Sequence, residues 1–446
     1  MKKILVLFLA LVICPSAFAQ QNVTLDDAVR TAISNNLDIS SIQNNMIIQN
    51  YYLRRSQGAL YPSLNLNGRW TRNITDSKGG TIFQNGVPIN IPDQSTTSND
   101  FNLSLNSTVT LFDGFANFRQ VDYDETAINT YRLEIERQKT DIVININTLY
   151  IEVLKNEQIV IANQQTLADS RAQLERIREI INVGRGTIAD LYKQDVQVAT
   201  DELNLQRSQN VLEKSKVDLL NAMSDDVNKQ VTASAQGINV NITNEELAGI
   251  VAANSNVDVL VRRGIADRYD FKSVMLQIEL NRINLDIAEK KEYFPILSAF
   301  GNYNLNGDAI GDITNTRVAT FGLQLSYPIF QGFSYDVNRQ VAEVNIKQSE
   351  LNLQKLELAI KAEVKKAVLD LQNSYNQVVV IDRSIRSAEQ DKLLSEENYR
   401  LGLGTLLDVQ IATTRLNNLQ IEKINTTYNF LIAKRLIDYY SGQIKY

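Results

Sequence analysis

Two stretches of this chain, residues 116–183 and 334–401, contain neither glycine nor proline. Nothing else in the sequence limits the fold so strongly. With no backbone hinge and no helix breaker, each stretch has to run as one element, and its side chains decide which. In the first, Leu167, Ser170, Leu174, Ile177 and Ile181 recur at steps of three and four. In the second, Ile346, Leu353, Leu356, Ile360, Val364, Ala367 and Leu371 follow the same kind of stripe. That period is helical, and a stripe sustained this far without caps belongs to coiled-coil packing. At 1.5 Å per residue each helix would extend roughly 100 Å.

The chain is duplicated. Leu111-Phe112-Asp113-Gly114-Phe115 recurs 218 positions later as Ile329-Phe330-Gln331-Gly332-Phe333. Gly184-Arg185-Gly186-Thr187 recurs at the same offset as Gly402-Leu403-Gly404-Thr405. Upstream, Tyr61-Pro62 matches Phe294-Pro295 at an offset of 233. Two copies of one unit follow. After each Gly-x-Gly-Thr turn the chain returns as a helix of about half the length, over 188–222 and 405–440. Residues 39–58 and 271–291 are also helical in pattern and end just before residues of a different period.

That second period is two. Leu64, Leu66, Gly68 and Trp70 alternate with polar residues, as do Phe101, Leu103, Leu105, Val109 and Leu111. The second unit repeats this with Leu297, Ala299, Gly301, Tyr303 and Leu305, then Ala319, Phe321, Leu323, Leu325, Tyr327 and Ile329. Each unit thus holds a β-hairpin, over about 61–112 and 294–330, with one apolar and one polar face. Runs of about 10–12 residues suit tilted strands crossing an outer-membrane apolar band. Aromatics gather near both ends, as interfacial girdles would. A half-buried sheet on a soluble core is the alternative. Against it stand polar faces of Asn, Ser and Thr with few charges, and Gly-, Asn-, Asp- and Pro-rich connections at 74–100 and 307–317 that read as outward loops.

The chain opens on Lys2 and Lys3, an apolar run and Ala17-Phe18-Ala19, which reads as a signal peptide over 1–19. A lipoprotein reading through Cys14 has Ile13 where a small residue belongs. The sequence has no histidine, and Cys14 is its only cysteine. Ser-His and Cys-His catalysis, His-bound metal and disulfides are thereby excluded. No cofactor, metal site or catalytic residue is expected. A net charge of −6 gives no basic excess for nucleic acid.

Four strands per chain cannot close a barrel, and an open edge in hydrocarbon costs several kcal/mol per unpaired group. Two chains would supply 8 strands and three would supply 12, the latter with an open lumen. The helix columns must follow the same symmetry.

The ordered set of motifs resembles the TolC family of outer-membrane efflux ducts along nearly the whole chain after the leader. The matching features are Val23-Thr24-Leu25-Asp26-Asp27-Ala28-Val29, Leu60-Tyr61-Pro62-Ser63-Leu64, both Phe-x-Gly junctions and both Gly-rich tips. The resemblance implies a mainly α protein with a transmembrane β-barrel. It implies a homotrimer of duplicated units whose twelve strands would close in outer-membrane lipid over a helical periplasmic tunnel. It implies docking to a periplasmic adaptor (membrane fusion) protein and an inner-membrane transporter of RND or ABC type. The tips Gly184, Gly186, Thr187, Gly402, Gly404 and Thr405 would meet the adaptor. Asp190 and Asp408 fall where family acids line the narrowest entrance, and Tyr399 matches a tyrosine of its closing network. Gly404 replaces the family's basic partner and Ile411 a second acid. Arg185 and Lys193 are the nearby bases that could substitute.

The junction residues Gly114, Gly332 and Pro328 read as structural. Glycine permits the turn, Asp113 or Ser334 caps the helix, and Pro328 closes the last strand. A first-turn Asp favoured by the helix dipole is the simpler reading of Asp190 and Asp408. The expected organisation is a leader over 1–19, a first repeat over 20–222, an equatorial linker over 223–268 and a second repeat over 269–446. Within the repeats, long helical hairpins run over 116–222 and 334–440. The function expected is a passive exit duct for small molecules or secreted polypeptide. A surface-exposed structural or adhesive coiled-coil protein, or a hydrolase using Asp/Glu, Ser, Lys or Tyr chemistry, would be the other classes.

Overall fold

The computed structural model describes residues 21–184, 186–236 and 242–444. The leader expected over 1–19 and the site residue Arg185 lie outside the described residues. The chain is mainly helical. In order it forms β1 (Gln21–Val23), α1 (Leu25–Asn35), α2 (Leu37–Gly58), β2 (Ser63–Ser77), β3 (Gly80–Gln84), β4 (Val87–Ile91), β5 (Gln94–Phe112), α3 (Ala116–Asn182) and α4 (Ile188–Ala222). Then follow β6 (Val231–Ala233), α5 (Asn244–Ala253), α6 (Val257–Asp267), α7 (Tyr269–Tyr293), β7 (Ile296–Gly307), β8 (Thr316–Ser326), α8 (Ser334–Arg400) and α9 (Leu406–Tyr440). The two Gly- and Pro-free stretches are single unbroken helices, α3 and α8. Residues group into two compact units, one of Ile42–Glu134 with Asp270–Leu356, the other made of the rest.

The first unit holds a four-stranded antiparallel sheet in the order β2-β5-β7-β8. Register puts like with like across it. Leu66, Leu105, Tyr303 and Ala319 form one cross-strand row, and Asn65, Asn106, Asn302 and Thr320 the next. One face is therefore apolar and the other a ladder of amides and hydroxyls, with an Asn102–Asn306 hydrogen bond on it. The apolar face is bare. Leu66, Trp70, Leu323 and Leu325 are all more than 60 % exposed and Phe321 is 82 % exposed. A soluble sheet would bury this face against a core, so that alternative fails.

Two sequence expectations need correction here. The segment 74–100, read as a loop, is mostly strand: β2 and β5 continue into it, and β3 pairs with β4 as a two-stranded ribbon. Its turn is Asn85-Gly86, both left-handed (φ 53° and 80°), the pairing that matches strand twist in a tight hairpin. The register also slips between Thr110 and Phe112, so Leu111 is the extra residue of a β-bulge and Phe112 stands opposite Leu297.

The strand-to-helix junctions are built twice in the same way. Gly114 and Phe115 are both left-handed (φ 70° and 67°), as are Gly332 and Phe333 (60° and 64°). In each, the flanking rings meet edge to face, Phe112 with Phe115 at 5.5 Å and Phe330 with Phe333 at 5.4 Å. That contact holds a phenylalanine in a conformation it otherwise avoids. Asp113 caps α3, accepting from the Asn117 N–H at 3.0 Å, whereas Ser334 lies inside α8 as its first residue. Pro328 sits two residues beyond the end of β8. Below the sheet, Arg119 pairs with Asp286 and Arg339 with Glu292 (3.1 Å), tying α3 and α8 to α7.

The second unit is a coiled coil with a partly polar seam. On α8, Ile360, Ala367, Ser374, Ile381 and Ala388 are buried at steps of seven, flanked by Val364, Leu371 and Val378. On α4 the buried positions Gln194, Asp201, Ser208 and Ser215 keep the same step. Tyr150, fully buried, anchors the parallel β1–β6 pair. Its hydroxyl lies 2.7 Å from the carbonyls of Val23 and Ser234 and accepts from the Ser234 N–H at 2.8 Å. The linker expected to be small and mixed contains α5 and a second helix, α6, that sequence did not resolve. Among the described residues no helix is long and apolar enough to cross a membrane.

A Cβ on Gly332 would meet nothing, but one on Gly114 would lie 2.7 Å from the Phe294 ring. Gly332→Ala should therefore cost about 1–2 kcal/mol for the left-handed backbone alone. Gly114→Ala should cost about 1–3 kcal/mol more for the overpacking. Thermal melting of the extracted protein checks the order; a greater loss at Gly332 contradicts it.

Candidate functional site

The two helical tips end and restart their helices by the same bonds. Gly184 (φ 78°) and Gly402 (φ 75°) take the left-handed position after α3 and α8, donating to the carbonyls of Ile181 (2.8 Å) and Tyr399 (3.1 Å). At the second tip Leu403 and Gly404 both donate to the Asn398 carbonyl, at 2.8 and 3.2 Å. A Cβ at Gly404 would press on Asn398 Cβ at 3.2 Å, so any larger residue there needs a small shift of Asn398. Thr187 and Thr405 then cap α4 and α9, accepting from the N–H groups of Asp190 (3.2 Å) and Asp408 (3.3 Å).

The two acids differ in what their carboxylates do. Asp408 completes a capping box, accepting from the Thr405 N–H at 2.9 Å and the Thr405 hydroxyl at 2.7 Å. These bonds hold its carboxyl below the usual range. Asp190 is half-buried, and its carboxylate lies 3.6 Å from Lys193 Nζ. Burial and, after it, the charge of Asp190 push the Tyr399 hydroxyl up. The structure thus sets Lys193 beside Asp190, and leaves Asp408 occupied with its own helix. Ile411 is exposed.

Farther along α4, a hydrogen-bonded network that sequence reasoning missed ties the two helical hairpins. Gln410 on α9 donates to Gln194 on α4 (3.2 Å), and Gln194 donates to the Ser170 carbonyl on α3 (3.0 Å). Gln194 and the buried Asp201 border a cavity of about 330 Å³ with Lys392 and Glu396 on its wall. Burial pushes the Asp201 carboxyl up, partly offset by hydrogen bonds from Ser170 and Gln197. The seven-residue spacing of the polar residues Gln194, Asp201, Ser208 and Ser215 along α4 was the available signal. Among the described residues no group of acids could hold a metal ion.

Two pH effects follow. Asp408 adds stability that is complete above about pH 4 and is lost as pH falls through its lowered value. Amide protection at the start of α9, taken relative to intrinsic exchange at each pH, should therefore fall in acid, and Asp408→Asn should show the reduced protection already at neutral pH. Asp201 binds its proton more readily folded than unfolded, so stability rises as pH falls through its raised value. Asp201→Asn should raise the melting temperature at pH 7; a lower value contradicts the assignment.

Comparison with known proteins places this geometry. The profile of the outer membrane efflux protein family matches residues 28–224 and 260–443. Outer membrane protein TolC of Escherichia coli K12 is 22 % identical over 353 residues, covering 75 % of this chain and 68 % of that protein. Its namesake in Vibrio cholerae is 19 % identical and covers 97 % and 94 %. Among solved structures, CusC superposes with a TM-score of 0.77 at 15 % identity, covering 95 % of this chain and 96 % of that one. VceC of Vibrio cholerae gives 0.72 at 16 %, covering 94 % and 96 %.

Proposed function

Because this chain belongs to the outer membrane efflux protein family and is an outer-membrane exit duct for efflux, we propose that three copies close its sheets into one twelve-stranded barrel. The observation that carries this reading is the sheet itself. β2 and β8 are free edges, one face is bare and apolar, and the other is polar. In hydrocarbon the apolar face needs lipid and the edges need strands, and other copies of the chain can supply them. A second exposed stripe on α8, Val337, Val341, Val344 and Leu351, suits helix packing between copies.

The helical tips then form the periplasmic mouth, which meets an adaptor protein and an inner-membrane transporter of RND or ABC type. Gly184, Gly186, Thr187, Gly402, Gly404 and Thr405 present the surface for the adaptor. Asp190 and Asp408 repeat around the axis and draw cations to the mouth, while Tyr399 and Lys193 close on Asp190. Along the chain, two repeats over 20–222 and 269–446 flank an equatorial linker over 223–268. Transport is passive, with energy from the inner-membrane partner. The adhesive coiled-coil reading has no use for the bare lipid-suited face.

The mass of the detergent-extracted native assembly should correspond to three chains, and a water-soluble single copy would overturn the proposal. In planar bilayers, Asp190→Ala with Asp408→Ala should reduce the preference for cations over anions. Unchanged reversal potentials would remove these two residues from the entrance.

A further inference from the structure

The duplication that built this chain also specifies how one copy joins the next, given the assembly proposed above. Shifting β2 by 233 positions and β5 by 218 carries the first hairpin onto the second. The structure provides its own check of this mapping. Leu64 opposite Ser107 becomes Leu297 opposite Leu325, and Asn67 opposite Ser104 becomes Phe300 opposite Gly322, and all four pairings are present. The seam between the hairpins, β5 against β7, is then the internal counterpart of a seam that no single chain contains, β8 against β2 of the next copy.

The same shifts write that seam out. Leu105 opposite Tyr303 becomes Leu323 opposite Trp70 of the next copy, and Leu103 opposite Leu305 becomes Phe321 opposite Arg72. Phe101 opposite Gly307 becomes Ala319 opposite Ile74. Two residues farther along, Arg317 faces Asp76. Three features that did not enter the mapping agree with it. Thr316, the first residue of β8, falls opposite Ser77, the last residue of β2. Leu323 meets Trp70 and Ala319 meets Ile74 on the apolar-side row, where Arg72 opposite Phe321 is the one charged exception before the rim, while Gln324 meets Arg69 and Ser326 meets Asn67 on the polar face. Finally, Thr110, at the edge of the β5 bulge, maps to Pro328, and a bulge is where a strand tolerates a residue with no N–H to donate.

We infer that β8 of one copy pairs antiparallel with β2 of the next in this register, with Arg317 directly across from Asp76 as an ion pair between subunits. Both side chains belong to the apolar-side row of their strands, beyond Trp70 and Tyr303, where charged groups leave the hydrocarbon band. Within its own copy Arg317 Nε donates to the Thr314 carbonyl at 3.2 Å, and the cross-strand neighbour of Asp76 is Ser95. Opposite charges placed directly across a seam hold its register, because a two-residue slip would set Arg317 against Ile74 or Lys78.

Residues 15–446 contain no cysteine, so paired cysteines can read the register in the full chain in its own membrane. Under mild oxidation, Asp76→Cys with Arg317→Cys should link most chains into disulfide-bonded trimers. Ile74→Cys with Ala319→Cys should do the same, and it leaves the ion pair intact should the first variant assemble poorly. Ile74→Cys with Arg317→Cys, shifted by two residues, should stay at least tenfold less linked. If the shifted pair links instead, or if an amine-reactive crosslinker still captures trimers while neither in-register pair links, the register is wrong and the trimer stands. If the variants and the unaltered chain alike run as single copies, the assembly itself fails.

Discussion

An unpaired backbone group in hydrocarbon costs several kcal/mol, and the free edges of β2 and β8 carry a whole row of them. The rest of the architecture answers to that cost. The sheet cannot be roofed by a core, because its bare face is the one lipid requires. Nor can a chain with four sheet strands roll up on itself. In the proposed assembly the partner is another copy, and once copies surround an axis, every helix hung from the barrel follows the same rotation. Duplication lowers the cost further, since the seam between copies can reuse the seam between hairpins.

The junctions transmit this constraint from sheet to helix. Each turns the chain through a Gly-Phe pair in left-handed conformation, held by an edge-to-face ring contact and, in the first repeat, by the Asp113 cap. Arg119 and Arg339 then tie the first two turns of α3 and α8 to α7. At the far end of the same helices, Gly184 and Gly402 reverse the chain with matching bonds, yet the acids that follow have diverged. Asp408 serves its own helix, whereas Asp190 faces Lys193 and is close enough for its charge to act on Tyr399. One ancestral turn thus carries a structural cap in one copy and a charged cluster in the other.

Much of this was legible in residues. The absence of Gly and Pro bounded α3 and α8 to within a residue or two, and strand parity gave the two faces of the sheet. What escaped had physical reasons. The β3–β4 ribbon hid in a segment rich in turn formers, although Asn85-Gly86 between apolar residues was a hairpin signal. The three-residue β1–β6 pair joins segments some 200 positions apart and is too short to show a period. The Leu111 bulge leaves alternation nearly intact, and a left-handed phenylalanine at 115 or 333 has no signature beyond the glycine before it. At the tips, residue type alone could not separate a capping carboxylate from a charge-paired one.

Amide hydrogen exchange on the lipid-embedded assembly tests the central claim most directly. The account predicts that the outward N–H groups of β2 and β8 exchange as slowly as those of β5 and β7, because strands of adjoining copies pair them. Fast exchange confined to the two edge strands, with the inner pair protected, would contradict it.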